Sequence, residues 1–328
     1  MSQMLTIFGG SGFVGRYITQ RMAKAGWRVR VAVRRPNEAL FVKTYGVVGQ
    51  VEPVFCNIRD DASVAAVLTE ADAVVNCVGI LNETGKNRFD SVQAEGAERI
   101  ARLASEAGIT SMVQLSAIGA DTESDSDYAR TKAEGEAGVL RYMPDAMILR
   151  PSIIFGPEDQ FFNRFAGMAR SGPVVPVVGA ETQFQPVYVD DVAQAAEKYL
   201  LGQASGGIYE LGGPEVKSFR ALMEMMLQVI RRRRIVMSVP MFAGRMMGMG
   251  FDLLQTISLG LIENKMITRD QVRNLARHNI VAPEARSFAD LEITPTAMEA
   301  VLPDYLWRFR PEGQYATQID SAENLKSD

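Results

Sequence analysis

Two groups of residues in this chain have types and spacing that could do chemistry. The first is Gly9-Gly10-Ser11-Gly12-Phe13-Val14-Gly15, which follows the apolar run Met4–Phe8 and precedes a helical period. In such a turn Gly9 allows a tight bend, Gly12 lets the backbone approach a pyrophosphate, and Gly15 lets helix and strand pack closely. The helix N-terminus then offers unpaired N–H groups to the phosphates. A glycine turn without a ligand has the same composition, but a first strand–turn–helix unit is the context a dinucleotide site needs. The second group is Tyr128 and Lys132, four residues apart and so on one face of a helix. A nearby ammonium favours the tyrosinate, lowers the pKa of Tyr128 and lets it exchange a proton with a carbonyl or hydroxyl group. The plainer alternative is an exposed Tyr and Lys on an ordinary helix.

Arg34-Arg35 stands directly after the second apolar run, Arg28–Val33. A site for the unphosphorylated dinucleotide would place an Asp or Glu there for the ribose 2′-hydroxyl. A guanidinium fork matches a 2′-phosphate instead, so the expected ligand is NADP(H); a surface arginine pair is the other reading. Asn57 and Ile58 follow the third run, where the adenine edge is expected. Cys77, Val78 and Gly79 follow the fourth, near the expected path of the nicotinamide ribose. Cys77 has no basic neighbour and reads as a small packing residue rather than a reactive thiol.

These residues need a sheet to hold them. Strands are predicted at Met4–Phe8, Arg28–Val33, Val51–Phe55, Ala73–Asn76, Met112–Ser116 and Ala146–Arg150, as continuous apolar runs buried on both faces. Helical periods lie between them at Val14–Ala25, Ala62–Glu70, Arg88–Ala107 and Tyr128–Tyr142. The alternation implies an α/β, doubly wound parallel sheet of Rossmann type, with the ligand at the carboxyl ends of the strands. A Pro/Gly-rich stretch, Pro151–Pro186, breaks the rhythm. It is followed by a strand–helix unit at Pro186–Val189 and Asp190–Leu201, then a strand at Ile208–Leu211. From Ser218 the chain reads as mostly helical. The expected domains are residues 1–150 with 187–215 for the dinucleotide, and 151–186 with 216–315 as a smaller unit for docking. Residues 316–328 read as a loose tail.

Composition narrows the classes. The 328 residues are 47% hydrophobic and 23% charged, which is ordinary for a globular chain. Two cysteines cannot form a disulfide framework, and a reducing compartment follows. With one histidine, His278, a histidine-rich metal site is excluded, and no metal ligands are expected. Met4–Phe8 already reads as a strand, so no signal or transit segment is expected, which fits a bacterial cytoplasmic protein. Charge is uneven: Lys217 to Arg286 holds 12 basic and 5 acidic residues, +7, which leaves −11 of the net −4 for the rest. That asymmetry points to an acidic partner or a membrane surface.

Gly9–Gly15, Tyr128-Ala-Arg-Thr-Lys132, Pro151-Ser-Ile-Ile-Phe-Gly156-Pro157 and Tyr188-Val-Asp190-Asp191-Val192 together resemble the extended short-chain dehydrogenase/reductase superfamily, over about residues 1–215. The resemblance implies dinucleotide contacts at the glycine loop, Asn57, Ile58, Cys77, Val78, Gly79, Ser116, Tyr128, Lys132 and Pro151. Active members carry a Ser or Thr on the loop after the fifth strand. Here Ser116 ends that strand and Ala117-Ile118-Gly119 follow; Gln93 stands where an Asn is usual. Ile267–Leu275 and Pro295–Pro311 narrow the match, because they resemble the nucleotide-binding accessory subunit of respiratory complex I. That implies a structural NADPH, attachment to peripheral-arm and membrane-junction subunits, and a peripheral position on the cytoplasmic face of the bacterial inner membrane. A soluble NADP-dependent reductase or epimerase acting on a sugar nucleotide is the alternative, and a redox-sensing regulator is a third reading.

Arg231-Arg232-Arg233-Arg234 precedes the mostly apolar stretch Ile235–Ile262, whose Arg245, Asp252 and Gln255 argue against a membrane span. Phe242, Met246, Met249, Leu253, Ile257 and Leu261 recur at three- and four-residue steps, as a helical stripe does. The stripe packs into its own domain, or it lies with the arginines on anionic lipid or a membrane-bound partner. Nucleic acid is not expected, since no aromatic platform accompanies the arginines. Trp307-Arg308-Phe309-Arg310 reads equally as a docking element or a seal over the sheet.

Overall fold

The computed structural model describes residues 2–243, 246 and 269–315. In chain order its first half comprises β1 (Met4–Phe8), α1 (Phe13–Lys24), β2 (Arg28–Val33), β3 (Val51–Phe55), α2 (Asp61–Leu68), β4 (Ala73–Asn76), α3 (Glu95–Glu106), β5 (Ser111–Leu115), α4 (Asp127–Tyr142) and β6 (Met147–Pro151). The second half holds β7 (Ile154–Phe155), α5 (Phe162–Ser171), β8 (Val174–Val178), β9 (Gln183–Phe184), β10 (Val187–Tyr188), α6 (Val189–Leu200), β11 (Gly207–Leu211), β12 (Lys217–Ser218), α7 (Phe219–Val229) and β13 (Ile235–Val239). Two further helices, Arg269–Asn274 and Met298–Leu306, follow.

Seven strands form one parallel sheet in the order β11-β6-β5-β4-β1-β2-β3. The order reverses between β1 and β4, and at such a switch point the carboxyl ends of the strands leave a crevice. Side chains alternate across the sheet. Leu5, Ile7, Val29 and Val31 pack with α1 and α6 on one face, while Phe8, Ala32, Val74 and Met112 pack with α2, α3 and α4 on the other. A second core joins α5, β8, α7 and the helix Met298–Leu306 around Phe155, Phe162, Phe219 and Leu302. Helix starts are set by capping side chains: Asp60 accepts from Ser63 N at 2.7 Å, and Ser218 accepts from Ala221 N at 3.2 Å.

Helix α1 is bolted to the later half of the chain. Arg21 pairs with Asp190 at 2.7 Å and Glu197 at 2.6 Å, and Arg16 pairs with Glu158 at 3.1 Å. Asp159, next along, is buried and accepts from Gly156 N, Phe161 N, Asn163 N and the Tyr305 hydroxyl. Burial raises the Asp159 carboxyl and the Tyr305 phenol alike, so the pair holds the last helix to α5 by a hydrogen bond.

Two expectations change. The helix expected from Arg88 starts with a π-helical turn, Asp90–Ala94, before α3. The region after Ser218 is less helical than expected, because Ile235–Val239 is a strand paired in parallel with β8. β8 offers it an open edge, and pairing overrides the helical period. Residues 241–243 and 246 are helical; Met249, Leu253, Ile257 and Leu261, and the tail 316–328, lie outside the described residues.

Candidate active site and nucleotide cradle

The glycine loop sits at the switch point, and two of its glycines cannot be replaced without moving it. Gly9 has φ +74° and donates to Ala32 O at 3.0 Å. A Cβ on Gly15 would lie 2.4 Å from Gly9 O and 2.7 Å from Gly10 Cα. Gly12 caps α1 without a side-chain bond, and the first turn carries no acidic residue. That end therefore keeps its N–H groups and its positive dipole for an anion, as a dinucleotide phosphate requires. Arg16 braces the loop from the helix, donating to Gly12 O at 3.3 Å and Ser11 O at 3.2 Å. Phe13 lies against Gly156 at 3.3 Å from the place of a Cβ there, and Val14 is buried in the core.

Guanidiniums gather at the ends of β2 and β3. Arg34 donates to Asn87 Oδ1 at 3.2 Å, and Arg35 is 76% exposed and pairs with Glu38 at 3.0 Å. Arg59 joins them by donating to Lys86 O at 2.6 Å, one residue from the Arg34 partner. The sequence reading passed over Arg59; its place just past the third strand, beside Asn57 and Ile58, was the available signal. Asn57 donates its N–H to Ser63 Oγ at 2.9 Å and accepts from Arg59 N at 3.3 Å. Ile58 lies 2.9 Å from the place of a Cβ on Gly96, so it rests on α3.

Cys77, Val78 and Gly79 link the loop to Tyr128 and Lys132. Val78 Cγ2 is 3.3 Å from the place of a Cβ on Gly9, and Lys132 Nζ is 3.3 Å from one on Gly79. Burial pushes the Cys77 thiol up to about 12, so it is not a reactive thiolate. Lys132 is buried and donates to Leu115 O at 3.1 Å, with its Nζ 6.0 Å from the Tyr128 ring centroid. Burial pushes the Lys132 ammonium down to about 8. Tyr128 corrects the expectation: burial, then the Asp270 carboxylate, pushes its phenol up to about 12.

Ser116 is also placed differently from a free catalytic hydroxyl. It donates to Glu136 Oε1, and Arg150 grips both oxygens of that carboxylate at 2.9 and 2.6 Å. Pro151, beside it, accepts from Ile118 N at 3.1 Å. Gln93 donates to Ile80 O at 3.2 Å, and its Oε1 has no partner among the described residues.

A strap from the far end of the chain crosses this side of the site. Asp270 accepts from the Ser126 hydroxyl at 2.9 Å, Asp127 N at 2.9 Å and Tyr128 N at 3.3 Å, as a second cap on α4. Arg273 donates to Asp125 O at 2.8 Å, and Asn279 donates to Ile118 O at 3.3 Å. Ser152 donates to Asn279 Oδ1 at 2.7 Å. His278, the lone histidine, accepts from Gln183 N at 3.0 Å, a structural bond.

Because the Lys132 ammonium titrates below its unfolded value of 10.5, the unfolded chain binds more protons above pH 8. Stability of the nucleotide-free protein is therefore expected to rise from about pH 8 to 9. Above that, Cys77 and the buried tyrosines, raised in the fold, reverse the slope. Urea unfolding should show the rise, and Lys132→Met should flatten it; an unchanged slope in the variant would refute the assignment.

A parallel doubly wound sheet, a glycine cradle at its switch point and a Tyr–Lys pair four residues apart define a class, and residues 5–212 match the model of the NAD dependent epimerase/dehydratase family. The chain belongs to that family. Within it, the chain is 33% identical over 314 residues to "NADH dehydrogenase [ubiquinone] 1 alpha subcomplex subunit 9, mitochondrial" of Arabidopsis thaliana, covering 94% of this chain and 78% of the relative. It is 28% identical over 315 residues to the "NADH-ubiquinone oxidoreductase 40 kDa subunit, mitochondrial" of Neurospora crassa, covering 94% and 80%. In fold it is similar to the dTDP-glucose 4,6-dehydratase DesIV of Streptomyces venezuelae, solved with NAD bound, at TM-score 0.69 and 18% identity over 96% and 99% of the chains.

Proposed function

We propose that this chain is an accessory subunit of respiratory complex I, the NADH:quinone oxidoreductase, and that it holds NADPH as a structural ligand. The observation that carries this is the likeness to the two complex I subunits over 94% of the chain, well beyond the dinucleotide-binding part. Arg34 and Arg35 favour the 2′-phosphate form of the ligand. The lack of a free hydroxyl at Ser116, the raised Tyr128 and the strap over Ile118 and Tyr128 all favour retention over turnover. A retained ligand at a thousandfold excess over its dissociation constant stabilises the fold by about 4 kcal/mol.

Its partners are the peripheral-arm and membrane-junction subunits of that enzyme, and its place is peripheral, on the cytoplasmic face of a bacterial inner membrane. Among the described residues no helix is long and apolar enough to cross a membrane. The basic segment Arg231–Arg234 and the apolar residues after it face the lipid or the membrane arm.

Gently solubilised membranes carrying a tagged copy test the reading on a native gel stained for NADH dehydrogenase activity. Migration with the large active band is expected, with NADPH released on denaturing that band. Migration as a small species alone would overturn it and favour a soluble reductase working through Tyr128 and Lys132.

A further inference from the structure

The four consecutive arginines have a specific address on the surface. Between α7 and β13 lies a groove of about 830 Å³ whose lining includes Arg220, Arg232, Arg233, Arg234, Leu227 and Val236. Three of these guanidiniums are tethered to main-chain carbonyls. Arg220 donates to Val236 O at 3.2 Å, Arg232 to Phe309 O at 2.7 Å and Arg234 to Ala169 O at 2.8 Å. A guanidinium has five N–H donors, so each tethered group keeps several for an anion and loses little freedom on binding one. Among the described residues Glu224 is the one carboxylate in the lining, and Glu181 stands 3.9 Å from Arg220.

Exposed apolar side chains follow the lining residues along the chain. Ile235 is 68% exposed, Met237 48%, Phe242 69% and Met246 69%. Four large apolar groups this exposed within one short segment point to an interaction site. Arginine beside aromatic and methionine side chains suits the headgroup level of a bilayer, where the charge meets phosphate and the apolar groups reach the acyl boundary.

We infer that this groove is a headgroup site for an anionic phospholipid, with Arg220, Arg232 and Arg234 holding the phosphate and Ile235, Met237, Phe242 and Met246 entering the lipid surface. The inference builds on the reading of the chain as a subunit of a membrane-bound enzyme. Three points favour lipid over free phosphate or an acidic protein segment. The groove is lined by Leu227, Ile235 and Val236 as well as by arginines, which a bare phosphate ion would not need. The exposed apolar residues begin directly after the last arginine, at Ile235. Five arginines, Arg220 and Arg231 to Arg234, against one carboxylate, Glu224, line this groove among the described residues, which suits an anionic surface.

Sedimentation of the purified full-length protein with vesicles of phosphatidylcholine, with and without phosphatidylglycerol, tests it. Binding is expected to the anionic vesicles only, and to weaken with salt. Arg233→Glu, at an exposed position, is expected to cut partitioning about thirtyfold, since each basic residue near the surface contributes about fivefold and a reversal counts twice. Phe242→Ser tests the apolar row apart from charge and should also weaken binding. Saturable binding of inorganic phosphate with no vesicle binding would overturn the lipid assignment. So would a protein that stays in the supernatant, or an Arg233→Glu variant that partitions unchanged. Failure here with co-migration on the native gel leaves the subunit reading standing, whereas vesicle binding without co-migration removes that reading and keeps the site.

Discussion

Arg150→Met is expected to lower the unfolding free energy by about 3–5 kcal/mol, the usual effect of leaving one member of a buried ion pair alone. Glu136 is 5% exposed, and its carboxylate is held by Arg150 at 2.6 Å and by the Ser116 hydroxyl. With the guanidinium gone, the carboxylate must stay charged without a partner or take up a proton. The double variant Glu136→Leu with Arg150→Met should recover most of the loss, because a well-packed apolar pair of similar volume is commonly neutral or better. Denaturant midpoints of the two variants decide the matter. A single variant within about 1 kcal/mol of the parent would mean that water or proton uptake by Glu136 relieves the charge, although the removal also frees Glu210, 3.7 Å from Arg150.

Arg34→Ala combined with Arg35→Ala is expected to weaken NADPH binding by more than about a hundredfold while leaving NADH binding nearly unchanged. Hydrogen bonds to charged groups contribute about 1.5–3 kcal/mol each, and the exposure of Arg35 argues for the lower end. Two such bonds at about 1.5 kcal/mol give the stated factor. Titration of the stripped protein with both nucleotides reads the difference. Equal loss for NADPH and NADH would place the arginines on a phosphate common to both. No loss would assign the 2′-phosphate to another cation, with Arg59 the first to replace.

The dinucleotide half of the molecule was legible because its signals are local. Each β–α–β strand is a run of four to six apolar residues, and the observed ends of the six predicted strands fall within a residue of those read from the sequence. The glycine loop is equally local, since Gly9, Gly12 and Gly15 owe their roles to one turn. What was not legible depends on partners far along the chain. Ser116 looked free until Glu136, 20 residues on, and Arg150 closed around it. Tyr128 looked like a tyrosine activated by Lys132, but its surroundings include Asp270, 142 residues later. β13 was hidden for a similar reason: Ile235–Val239 continues smoothly into an apolar helical period, and only the edge of β8 makes it a strand.

The strap from Asp270 to Asn279 also has a place in time. Chains emerge N-terminal end first at about 5–20 residues per second. Asp270 lies 142 residues after Tyr128, so it is made about 7–30 s later. During that interval the glycine loop, Arg34 and Lys132 already exist on a nascent chain that lacks its fastening. A nucleotide meets its site most readily then, before Asp270 caps α4 and Asn279 fastens to Ile118. Under the proposed reading, loading is fastest at the birth of the molecule, and a subunit made where NADPH is scarce fills slowly once the supply returns.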